Sequence, residues 1–203
     1  MEENIPAITI RYSPIMDRYG KVLSQGAWQE QYKKFFGDAE YPSEISLIEK
    51  VDEYQNAWKE HESDILNGVT RLLGLNFAEK EIVVYVIGFG RAHSDPLVIP
   101  SNFKPQEAVG IISHELLHRL LTHNMERLNE DIVSPQLFTG ETSGVAIHVV
   151  IHAILEHIYR DILGSEELLA WDIAKSNGDY KRAWDLVAEL GYKNVIEKIR
   201  GRV

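Results

Sequence analysis

His114-Glu115-Leu116-Leu117-His118 is the stretch on which the reading of this chain turns. Two histidines four residues apart lie on one face of a helix, so both imidazoles can reach one metal ion. The glutamate beside the first histidine is placed to take a proton from a water activated by that metal. The flanking run Gln106–Thr122 supplies the helix. Val109, Ile112, Leu116, Leu117, Leu120 and Leu121 recur at helical spacing, and Pro105 stands at the start, where a missing N–H costs little. The competing reading is a solvated His/Glu face on an ordinary helix.

Working outward, Glu81–Gly88 (EIVVYVIG) is a near-continuous apolar run bounded by charge and glycine, and predicts a buried strand. Gly88–Asp95 reads as a polar loop. Pro96–Ser101 reads as a short strand whose prolines suit a sheet edge. Ala7–Tyr12 alternates and is β-branched, a further strand. Gly26–Phe36 reads as a helix with Trp28, Tyr32, Phe35 and Phe36 as its apolar positions. Ser43 is a candidate N-cap for a long helix to about Leu73, broken or kinked near Gly68, with Ile48, Val51, Tyr54, Trp58, Ile65, Val69 and Leu72 as its stripe.

Beyond the motif helix, Asn124–Gly140 is irregular and carries Glu126, Glu130 and Asp131. Thr142–Leu163 predicts a second long helix closed by Gly164. Ser165 caps a helix through Ala174, and Tyr180–Leu190 and Tyr192–Ile199 complete a helical tail with Trp171, Trp184, Leu186, Val187, Leu190, Val195 and Ile199 as its core. With no proline/glycine linker before the tail, the expectation is one α+β domain over residues 1–203. It comprises an N-terminal strand and helices (1–80), a core (81–163) and the helical tail (164–203).

Composition bounds the function. At 203 residues, 44% hydrophobic and 26% charged, the chain can bury one substantial core. A net charge of −10 argues against nucleic-acid or anionic-membrane partners. There is no cysteine, so a metal site must use histidine and carboxylate ligands. The absence fits a cytoplasmic protein, the expected location. The start, Met-Glu-Glu-Asn-Ile-Pro, does not read as a signal peptide, and no apolar run approaches the roughly 20 residues of a membrane span.

Two histidines leave a metal site incomplete, since a catalytic zinc site takes three protein ligands plus a water. The second long helix is the source to search. His148, His152, Glu156 and Tyr159 follow one another at spacings of four, four and three, one polar stripe on an otherwise apolar helix. Such a stripe is costly against an apolar interior unless paired or metal-bound. The bland reading is a solvated outer face. His61 reads as solvated, His93 lies in a loop, and His123 sits past a helix end, where a cation favours the dipole. Gly88-Phe89-Gly90 lacks the following glycine and helix start of a nucleotide loop.

Short strand, H-E-x-x-H helix, connecting segment and second ligand-bearing helix together resemble the catalytic core of the zincin metallopeptidases, over roughly residues 81–163. In members resembling the thermolysin type, the third ligand is a glutamate of the second helix, supported by an acid four residues on. Glu156 is the candidate here, but Arg160 follows it at that offset, and Glu141 is followed by Val145. The longer H-E-x-x-H-x-x-G-x-x-H pattern is absent, because Leu121 and Asn124 occupy its glycine and third histidine. The His148-Val-Val-Ile-His152 stretch resembles instead a group of small prokaryotic zincin-like proteins with a histidine pair on the second helix. That resemblance implies Zn2+ held by His114, His118 and either His152 or His148. His152, deeper in the helix, is preferred.

The resemblance implies a fold with a small mixed sheet, an edge strand packed on the motif helix, and the second helix behind. It also implies a zinc-dependent hydrolase acting on a peptide or protein substrate. Glu115 would serve as general base and later return the proton to the leaving amine. A second-helix donor, His148, His157 or Tyr159, would steady the oxyanion, and the Leu97–Ser101 edge would pair with an extended peptide. The alternative is a zincin-fold metal-binding protein without peptidase activity, serving regulation or partner binding.

Overall fold

The alternation of Ile8 and Ile10 with polar neighbours, and the apolar run Ile82–Ile87, build the centre of a four-stranded sheet. Strand β1 (Ala7–Tyr12) runs parallel to β2 (Glu81–Ile87), with Ala7 opposite Glu81 and Tyr12 opposite Val86. Strand β2 runs parallel to β4 (Leu97–Pro100), with Tyr85 opposite Val98. A two-residue strand, β3 (His93–Ser94), pairs antiparallel with Leu97 and Val98, so the order is β1-β2-β4-β3. The computed structural model describes residues 5–25, 40–125 and 138–200, with backbone only at 19, 20 and 23–25. The expected helix Gly26–Phe36 and the acids Glu126, Glu130 and Asp131 lie outside the described residues.

Among the described residues there are eight helices. They are α1 (Pro14–Gln25), α2 (Glu44–Lys59), α3 (Glu62–Leu73), α4 (Pro105–His123), α5 (Ser143–His157), α6 (Glu166–Lys175), α7 (Gly178–Leu190) and α8 (Tyr192–Arg200). The architecture is α+β with a small mixed sheet, as the sequence predicts. No described helix is long and apolar enough to cross a membrane. The chain gathers into two compact units. One holds Ala7–Glu60 and Glu81–Glu115; the other holds the described residues of Met1–Pro6, His61–Lys80 and Leu116–Val203.

In the sheet unit, Leu47, Tyr54 and Trp58 of α2 are wholly buried, as are Val84, Val86 and Ile99. Each such side chain contributes roughly 1.5–3 kcal/mol relative to exposure. Ile48, expected in the stripe, is instead exposed, because Leu47 takes the inward position. The Tyr54 hydroxyl donates to the Phe103 carbonyl at 2.9 Å and accepts from the Phe103 N–H at 3.1 Å, which fixes the turn leading into α4. Gly88 ends β2 with its N–H donating to Asp17 Oδ1 at 2.8 Å, and the same oxygen accepts from the Tyr41 hydroxyl at 2.5 Å. A side chain at position 88 would run into the Tyr41 ring, so the close approach requires glycine.

Three expectations are corrected. Strand β4 is not an edge at Leu97 and Val98, because β3 covers them; two residues are too short to register as a strand pattern in sequence. The long helix from Ser43 breaks at Glu60–His61 rather than near Gly68. Gly68 sits inside α3, where a Cβ would meet Ile162 Cδ1 at 2.5 Å, so the glycine serves close packing rather than a kink. The second long helix does not run as α-helix to Leu163. After His157 it widens into a π-helical turn, Ile158–Ile162, closed by Gly164 at φ 62°.

Candidate metal centre

Helix α4 is held at both ends. At the start, Lys104 N–H donates to Glu107 Oε2 at 2.9 Å, beside Pro105 in the first turn. At the end, Arg119 Nε donates to Glu79 Oε1 at 3.1 Å, and His123 Nδ1 lies 3.2 Å from Glu79 Oε2. Asn124 Nδ2 donates to the carbonyls of Asn76 and Leu120, both at 2.8 Å. His114 and His118 project from this helix four residues apart. His114 and Glu115 are 6% and 7% exposed, which excludes a solvated face for them.

Helix α5 begins at Thr142, whose hydroxyl accepts from Val145 N–H at 3.2 Å. Its first turns bring His148 to the motif. His114, His118 and His148 each offer a ring nitrogen, and the three nitrogens lie within 4.8 Å of one another. The His118 and His148 rings are 5.1 Å apart at 75°. His148 Nδ1 lies 2.6 Å from the Gly144 carbonyl oxygen. A carbonyl only accepts, so Nδ1 carries the proton and Nε2 keeps its lone pair. A hydrogen bond of this kind fixes the tautomer and orientation of an imidazole in a metal site.

The third ring beside His114 and His118 is thus His148, where the sequence favoured His152. His152 is wholly buried one turn further along, its ring stacked on Trp184 at 4.3 Å and 14°. The stripe on α5 is not solvated, because α7 covers it: Tyr180 lies over His148 at 4.1 Å and Trp184 over His152. The remaining candidates are engaged elsewhere. Glu156 Oε1 accepts from Arg160 Nε at 2.8 Å, and His157 Nδ1 bonds Asp161 at 2.7 Å. Tyr159, expected as an oxyanion donor, is buried in the π-helical turn and donates to Asp172 Oδ2 at 2.8 Å. His93 is exposed in β3.

Burial sets the electrostatics. It pushes His118 down to about 4, with the neighbouring His148 adding to the effect. Burial also lowers His148, opposed by the Gly144 hydrogen bond and by Asp179. It holds His152 well below the usual histidine range, helped by His148 and His118. These rings are neutral near pH 7, the form that ligates a cation. Burial lifts Glu115 to about 8. A cation beside it would favour the carboxylate. Three neutral imidazoles with no thiolate form a donor set that could hold a divalent first-row metal ion.

Tyr180 and Trp184 were legible only as tail and core. Their signal is a spacing of four that matches the spacing of His148 and His152, so two rings meet two rings in register. Comparison with protein-family models, with curated proteins and with solved structures returns no match.

Proposed function

We propose that this protein is a zinc-dependent hydrolase of peptide bonds, with His114, His118 and His148 as the metal ligands and Glu115 as general base. The observation that carries the reading is the convergence of three ring nitrogens within 4.8 Å, two from the H-E-x-x-H helix and one oriented by a backbone carbonyl. A bound divalent cation supplies Lewis-acid activation of water. Glu115 takes the proton of the attacking water and returns it to the leaving amine. Its depressed acidity in the metal-free protein suits a group that must hold a proton midway through the reaction. The low exposure of His114 and Glu115 limits the water around them, which strengthens each electrostatic interaction.

One observation favours the alternative, a metal-binding module without peptidase activity. Leu97 and Val98, the residues expected to pair with an extended peptide, are covered by β3. One experiment separates the two readings: turnover of a mixed peptide pool by the zinc-loaded protein and by Glu115→Gln. The enzyme reading expects cleavage that falls at least 100-fold in the variant while zinc is retained. Absence of cleavage by the zinc-loaded wild type, or cleavage unchanged in Glu115→Gln, contradicts it.

A further inference from the structure

The sequence offers two histidines on α5, four residues apart, and the structure uses only the first in the trio. What selects His148 lies in the same compact unit, on the first turn of α7. The Tyr180 ring sits 4.1 Å from the His148 ring, tilted by 36°, and 5.7 Å from His152. Tyr180 is itself 42% exposed, and its ring also lies near His152. Its neighbour Asp179 presses on the opposite end of the same arrangement. A Cβ on Gly144 would meet Asp179 Oδ2 at 2.6 Å, so the carboxylate lies directly against Gly144. Gly144 is the residue whose carbonyl holds His148 Nδ1. Asp179 also interacts electrostatically with the His148 ring.

We infer that Asp179 and Tyr180 form a positioning clamp for His148: one side chain presses the turn that supplies the carbonyl, and the other braces the ring that this carbonyl orients. The inference rests on His148 being a metal ligand. Groups that orient a ligating imidazole govern affinity by restricting the ring to its binding pose, and their loss characteristically costs 10–100-fold in metal affinity. The clamp acts on the ring through packing, so an aromatic ring without the hydroxyl suffices at position 180. A side chain at 144 would meet the Asp179 carboxylate and shift it from this position.

The test is cobalt(II) titrated into the metal-free full-length protein, with affinity from chelator competition and the ligand-field spectrum recorded at saturation. The variants are Tyr180→Ala, Tyr180→Phe and Gly144→Ala, each checked by circular dichroism and thermal melting without metal. The clamp predicts 10–100-fold weaker binding and an altered spectrum for Tyr180→Ala and Gly144→Ala, with wild-type behaviour restored in Tyr180→Phe. Gly144→Ala perturbs Asp179 without removing the ring, and so keeps the claim testable should loss of Tyr180 loosen α7. Wild-type affinity and spectrum in both Tyr180→Ala and Gly144→Ala would overturn the clamp alone. No cobalt binding by the wild type would overturn the ligand assignment beneath it.

Discussion

His148 Nδ1 and the carbonyl oxygen of Gly144 stand 2.6 Å apart, four residues along the same helix. A free backbone carbonyl near the start of an α-helix would bond the amide four residues on; here the histidine ring also claims it. Nδ1 is thereby committed to the backbone, and Nε2 is the nitrogen left to ligate. His152, with the same spacing to its own predecessor, has Trp184 stacked on its ring instead.

That contrast yields the first prediction. Replacing His152 by Phe keeps a flat ring against Trp184 and removes both nitrogens. The fold and the bound metal are expected to survive, with a change in stability under about 1.5 kcal/mol. His152→Ala is expected to cost about 2–4 kcal/mol through the cavity left beside the indole. Urea unfolding with elemental analysis of the same samples measures both. Metal lost from well-folded His152→Phe would return His152 to the ligand set.

Glu115 gives a pH dependence. In the metal-free fold its carboxyl is raised from an ordinary 4.5 to about 8 by burial. The folded state therefore holds the proton more tightly than the unfolded chain does. The stability from this group is full below about pH 4.5 and is lost as pH rises through about 8. Glu115→Gln has no such loss. The stability difference between metal-free Glu115→Gln and metal-free wild type is expected to grow from pH 4.5 to pH 8, by a few kcal/mol in order of magnitude. The opposing contribution of His118, lost as pH falls from 6.5 through about 4, is common to both proteins and cancels. A flat difference across this range in chemical denaturation would refute the assignment of a neutral buried acid.

Tyr159 is expected to act on stability and not on metal. Burial raises Asp172 to about 6, and the hydrogen bond from Tyr159 opposes the rise. Tyr159→Phe removes that donor from a buried carboxyl and is expected to cost about 1–3 kcal/mol, with zinc content and affinity unchanged. A Tyr159→Phe protein of wild-type stability but altered metal affinity would place the hydroxyl at the site after all.

Gly68 and Ile162 offer a double-mutant cycle. Alanine at 68 gains helix propensity of about 1 kcal/mol but drives its Cβ into Ile162 Cδ1. The net cost is expected to be about 1–2 kcal/mol in the wild-type background, and to vanish or reverse with Ile162→Val, which lacks that methyl. An equal cost in both backgrounds would show that the contact is not responsible.

These cases mark how far the sequence could be read. The motif helix, β1, β2 and the caps at Ser43 and Ser165 follow from local pattern, and each forms where its pattern stands. The break at Glu60–His61 carries no proline or glycine, and the π-helical turn at Ile158–Ile162 has no composition of its own, so neither leaves a local trace. His114 and His118 were legible because one helix fixes both. The third histidine depended on which turn of α5 meets α4 and on what covers the other turn. That information lies about 30 residues away in Tyr180 and Trp184, and no periodicity within α5 encodes it.

The most direct test of the account is elemental analysis of the purified protein after zinc loading and removal of excess, beside His114→Ala, His118→Ala, His148→Ala and His152→Phe. About one zinc per chain is expected in the wild type and in His152→Phe, with loss in the other three. Zinc retained by His148→Ala, or none in the loaded wild type, would contradict the three-histidine centre.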